Sequence, residues 1–118
     1  MSPINFDILQ AEYPEYATVW SVLREWFKRN SRKQYVELSV LLRAFPKIDR
    51  LAFIFALQAM IDKGMLAAAY RVRSPEGDLL ESEFDEPDQI PPQLPARDYS
   101  HMVSTEEGDV VSGYRWGQ

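Results

Sequence analysis

Five basic side chains, Arg43, Lys47 and Arg50 followed by Arg71 and Arg73, are the residues whose type and spacing best fit a chemical task, the neutralisation of an anionic partner. The first three cluster around Pro46, and the last two alternate in the run YRVR. Groups suited to catalysis are sparse. His101 is the sole histidine, set in the polar stretch DYSHMVSTEEGD, so a histidine-based metal site would lack a second imidazole, and a solvated loop is expected there. Glu81, Glu83, Asp85, Glu86 and Asp88 lack the fixed spacing and the glycine of a calcium loop and read as a solvated charge run. The chain has no cysteine, which excludes disulfides, thiolate chemistry and cysteine-ligated zinc, and it has no glycine-rich phosphate loop. A non-enzymatic protein without metal or cofactor is expected.

Charge is distributed unevenly along the 118 residues. Residues 1–23 hold three acids and no base, residues 24–73 hold eleven bases against four acids, and residues 74–118 hold eleven acids against Arg97 and Arg115. The balances are −3, +7 and −9, which sum to the net charge of −5. Such asymmetry points to an electrostatic partner, or to one half of the chain facing the other. With 46% hydrophobic residues the chain is able to bury a core. The start MSPINFDILQ has no basic segment leading into an apolar one, and no apolar run approaches the length of a membrane span, so a cytoplasmic location and no membrane contact are expected.

The elements that must position these charges follow from periodicity and punctuation. Phe6, Ile8 and Leu9 make residues 1–17 a short helix or arm, broken at Tyr13-Pro14. Val19, Val22, Leu23, Trp26 and Phe27 recur at three- and four-residue steps in a helix running to about Asn30. Tyr35-Val36 fits a short strand. Leu38, Leu41, Leu42 and Phe45 give a helix that stops at Pro46. Asp49 is placed to cap the next, LAFIFALQAMI, and Gly64 ends it in the left-handed conformation that glycine adopts freely. In LAAAYRVR, Leu66, Ala68, Tyr70 and Val72 alternate with the rest, and Pro75 and Gly77 suit a turn, so a hairpin returning through Leu79 to Phe84 is expected. The four prolines of EPDQIPPQLPAR predict an extended segment, and DVVSGYRW predicts one more strand, with Val111, Tyr114 or Trp116 as its anchor.

Residues 18–84, in the order helix, turn, helix, hairpin with the exit Gly64-Met65-Leu66, resemble a winged helix-turn-helix domain. The expected fold is therefore mainly α with a small β-hairpin (α+β). An arm at 1–17 precedes the domain, and an acidic, Pro-rich tail at 85–118 packs on it, ending in an extra strand. The resemblance implies that the third helix and the wing form a binding surface, which in most relatives meets duplex DNA. The departure lies in that helix, where Ala52, Phe53 and Ala56 stand where DNA readers carry polar side chains.

Because the helix is apolar nearly all round, one face needs a second cover. Leu51, Ile54, Leu57 and Ile61 read as the inward stripe, which leaves Phe53, Ala56 and Met60 turned away from the core, either covered by the arm or tail or open to a protein partner. The expected function is that of a winged-helix binding module acting through protein–protein contact, as a homodimer or as an adaptor to a larger partner. The alternative is a DNA-binding transcriptional regulator using Arg43, Lys47, Arg50, Arg71 and Arg73, with the acidic tail modulating access.

Overall fold

The structure, a computed structural model, describes residues 1–117 and has an α+β architecture of four helices and small antiparallel sheets. Helix α1 (Phe6–Glu12) starts where the Asn5 side chain accepts from the Ile8 amide at 3.1 Å, and it ends before Pro14. Pro14 opens a single 3-10 turn (Pro14–Tyr16) that leads into α2 (Ala17–Arg29), whose carboxyl end is closed by Asn30, with its side-chain amide donating to the Trp26 carbonyl at 2.8 Å. Strand β1 (Tyr35–Glu37) passes directly into α3 (Leu38–Ala44). Helix α4 (Arg50–Asp62) begins at Asp49, whose carboxylate accepts from the Ala52 amide at 3.0 Å, and ends at Gly64 with φ +71°. No helix among the described residues is long and apolar enough to cross a membrane.

The sheet departs from expectation in one pairing. Strand β2 (Ala67–Arg73) pairs along its whole length with the C-terminal strand β5 (Asp109–Arg115), which also pairs with β1, giving the order β1-β5-β2. The turn at 74–78 forms: the Ser74 amide donates to the Asp78 carbonyl at 2.8 Å, and Gly77 takes φ +97°. The expected return strand, 79–84, touches the other edge of β2 only at two isolated bridges, Arg73 to Leu79 and Tyr70 to Phe84. Between them Leu80 turns into a core while Glu81 stays in solvent, so LLESEF has no continuous ladder.

Residues after Phe84 are more ordered than their prolines suggest. Pro87 opens a 3-10 turn (Pro87–Gln89), and strands β3 (Gln93–Pro95) and β4 (Met102–Ser104) form a hairpin. They build a small second core in which Leu94, Ala96 and Val103 meet Val72 and Leu80. The larger core joins α1, α2, α3 and α4 to the sheet. Trp116, just beyond β5, meets Phe27 edge-on at 4.9 Å and Trp26 at 6.0 Å, which makes it the anchor of the C-terminal strand.

Candidate functional site

Helix α4 and the turn before it hold the candidate surface, but with the faces exchanged relative to expectation. Phe53, Ala56 and Met60 are in the large core, and Phe53 stacks on Phe45 with ring centroids 5.9 Å apart. Of the stripe read as inward, only Leu57 is fully buried, whereas Leu51 is 62% exposed and Ile54 36%. Phe55, at 54%, completes an open apolar face. The cause is the phase of the helix: the arm is tied to its C-terminal end by a hydrogen bond that the Ser2 amide donates to the Gly64 carbonyl (2.9 Å) and by the ion pair of Lys63 with Glu12, and Phe6 and Leu9 join the core that takes in Phe53 and Met60. That shared core, to which the arm gives Phe6 and Leu9 and the end of α3 gives Phe45, is the intramolecular cover, and the protein-binding role expected of Phe53, Ala56 and Met60 has no exposed side chain to act through.

A signal for the open face was present in the sequence. Gln58 and Asp62 are the polar residues of α4 beyond its first position, and they bond to one another at 3.0 Å. Together with Leu51 and Phe55 they fall at steps of four, three and four residues, which is one stripe of a helix.

The basic residues separate into two groups. Arg43, Lys47 and Arg50 ring the α3–α4 turn, all exposed, and among the described residues none is ion-paired. Arg43 donates only to the Ser39 carbonyl, at 3.3 Å. Beside them a shallow pocket of about 260 Å³ is lined by Val22, Ala44, Phe45, Pro46, Lys47 and Ile48. Helix α4 has its positive end here, which adds to the local potential.

Arg71 and Arg73 instead belong to a closed network on the face of the sheet that register assigns to Tyr35, Glu37, Arg71, Arg73, Gly113 and Arg115. Arg71 pairs with Glu83 at 3.1 Å and lies over the Tyr35 ring at 4.4 Å. Arg73 pairs with Glu37 and donates to the Gly77 carbonyl at 3.0 Å. Arg115 pairs with Asp85 at 3.0 Å. The Tyr35 ring occupies the space above Gly113, where a Cβ would stand 2.4 Å from the phenolic oxygen, so only glycine fits. Burial pushes the Tyr35 phenol up to about 12, against the opposing pull of the Arg71 guanidinium. Its hydroxyl and Arg71 Nε are the buried side-chain polar atoms left without a partner among the described residues.

The remaining candidates carry no assembled chemistry. His101 lies in the exposed β3–β4 turn, its Nδ1 2.8 Å from Ser100 Oγ. The acidic run is dispersed: Glu83 and Asp85 serve arginines, Glu81 accepts from the Tyr99 hydroxyl at 2.7 Å, and Glu86 caps the 3-10 turn with Gln89. Among the described residues no group of three His, Cys, Asp or Glu side chains is arranged to hold a metal ion.

Comparison with known proteins adds no relative: no family model, no curated protein and no solved structure matches this chain.

Proposed function

We propose that this chain is a non-enzymatic binding module of the winged-helix type, acting through protein–protein contact at the outward face of α4 and the basic turn before it. The order α2, β1, α3, α4, β2 supports the winged-helix reading, with β5 in place of residues 79–84 as the long partner of β2. The observation that carries the functional reading is the open α4 face, Leu51, Ile54 and Phe55, bordered by Arg43, Lys47 and Arg50, cations with no ion pair among the described residues. Large exposed apolar side chains grouped on one helix mark an interface, and the cationic border suits a partner surface that is apolar at its centre and acidic around it.

Duplex DNA is the second reading, favoured by the same three cations. Against it, Arg71 and Arg73 are tied to carboxylates, and on α4 only Gln58 offers the amide geometry that reads base edges. One pair of experiments separates the two. Light scattering after gel filtration, together with affinity capture, is expected to give a protein complex that is lost in Leu51→Asp/Phe55→Asp while circular dichroism is unchanged. Titration with a generic duplex at low salt is expected to give no shift. A duplex complex that Lys47→Glu/Arg50→Glu removes, and that weakens steeply with salt, would favour DNA instead.

A further inference from the structure

The end of the molecule at the two turns flanking β2 and β5 is the chemical opposite of the α3–α4 corner. Register sets Arg73 opposite Asp109, so the turn after β2 and the turn before β5 lie side by side, and Gly108 comes so near that a Cβ on it would stand 2.5 Å from the Arg73 carbonyl oxygen. This juxtaposition gathers Glu76, Asp78, Glu106, Glu107 and Asp109, all exposed and none ion-paired among the described residues. Arg73, opposite Asp109, is held by Glu37. Arg97 and His101 border the hollow beside Glu76 and Asp78, with Asp98 next to them, so the balance there stays negative. An apolar groove begins at Val110, next to Asp109 in the chain. Val110 is 52% exposed and opens a groove of about 330 Å³ whose apolar walls are Leu38, Leu42 and Val111.

We propose that the partner of the α3–α4 corner is a second copy of this chain, whose acidic β2/β5 end and Val110 groove seat against Lys47, Arg50, Leu51 and Phe55. The inference rests on the reading of the α4 face as an interaction surface and names its occupant. Each surface sets exposed apolar side chains beside charges that are mostly of one sign, Arg43, Lys47 and Arg50 against Asp49 at the corner and Glu76, Asp78, Glu106, Glu107 and Asp109 at the strand end, and the prevailing signs are opposite. That pairing stabilises the contact between unlike ends, and it disfavours contact between like ends through repulsion. Intrachain ion pairs absorb the cations of β2 and β5 and leave those of the α3–α4 corner, so the +7 and −9 segments are not neutralised within one copy.

Charge-swap complementation tests this directly. Light scattering at low salt is expected to give a mass above 13.7 kDa for the parent, returning to 13.7 kDa as salt is raised toward about 1 M, where screening reaches about 3 Å. Lys47→Glu/Arg50→Glu and Glu106→Lys/Glu107→Lys, both at exposed positions, are each expected to be folded by circular dichroism and monomeric alone. Mixed in equal amounts they are expected to associate, because each reversed surface then meets its complement. A parent that stays monomeric at every concentration overturns the proposal, as does a mixture that fails to associate, or single variants that assemble like the parent. If the parent is monomeric yet a different protein is captured in a Phe55-dependent way, the second copy is overturned while the α4 surface stands. If the parent associates but Leu51→Asp/Phe55→Asp leaves its mass unchanged, both readings fall.

Discussion

The outward face of the sheet and the α3–α4 corner carry arginines and lysines that look alike in the sequence, yet they differ in availability. On the sheet, Arg71, Arg73 and Arg115 each meet a carboxylate, and the face is closed over Tyr35 and Gly113. At the corner, Arg43, Lys47 and Arg50 meet none among the described residues, and the neighbouring Leu51 and Phe55 are bare. The difference is topological. A long strand side chain reaches groups on the other strands of its sheet, here Glu37 of β1 across β5, and on the segment bridged to the edge, here Glu83. A residue on the outside of a tight helix–turn–helix corner meets little beyond its own turn, and at this corner the neighbour from another element is the uncharged Val22 of α2. Local charge density therefore says that a surface is basic, but pairing decides whether the surface is free.

The same contrast holds between the two sides of α4, and it gives the largest expected effect. Phe53→Ala removes a ring that is 1% exposed and stacked on Phe45, so urea unfolding is expected to show a loss of about 3–5 kcal/mol. Phe55→Ala trims a side chain that is half in solvent, and its cost is expected to be within about 0.5 kcal/mol. Equal losses at the two positions would mean that α4 turns Phe55 as well as Phe53 toward the core, and that its open face lies elsewhere.

Much of the local structure was legible because single residues dictate it. Asp49, Pro14, Pro46 and Gly64 act through their own side chains or dihedrals, and each marks a helix end where its chemistry requires one. The strand in DVVSGYRW was legible from its composition, but its partners were not, since β1 and β2 lie far upstream and no local rule fixes which edge is filled. The phase of α4 was obscured for a different reason. An apolar residue at nearly every position gives no contrast between faces, and the two polar residues that do, Gln58 and Asp62, come late in the helix. The free or paired state of each arginine depends on the same long-range pairing of strands, across which Arg73 reaches Glu37 although they are 36 residues apart.

A smaller effect compares one cation from each surface. Arg73→Ala leaves the Glu37 carboxylate, only 16% exposed, without its partner, and the expected loss is about 1–2 kcal/mol, between the values of exposed and fully buried pairs. Lys47→Ala, with no ion pair to break among the described residues, is expected to stay within about 0.5 kcal/mol. Urea midpoints at low and high salt check both. A Lys47 variant as unstable as the Arg73 variant would show that the corner is also held by an internal ion pair.

The smallest effect near neutral pH concerns Tyr35, which closes the face of the sheet. Its hydroxyl is buried against Gly113 without a hydrogen-bond partner among the described residues, and removing an unsatisfied polar group is neutral or slightly stabilising. Tyr35→Phe keeps the ring under Arg71, so the cation–π contact survives, and stability at pH 7 is expected to be unchanged or marginally higher. At high pH the two proteins part. Burial raises the phenol from its ordinary value of 10.0 to about 12, so the folded state holds this proton more tightly than the unfolded chain does. The corresponding stability is fully present below about pH 10 and is lost as pH rises through about 12. Tyr114, also raised by burial, contributes in the same direction in both proteins, so the difference between their curves isolates Tyr35. Urea midpoints measured from pH 8 upward are expected to fall less steeply for Tyr35→Phe than for the parent. Parallel alkaline curves would place the phenol in contact with water, and a marked loss at pH 7 would give its hydroxyl a bonding partner. Either result would mean that the sheet face over Tyr35 and Gly113 is open, like the α3–α4 corner.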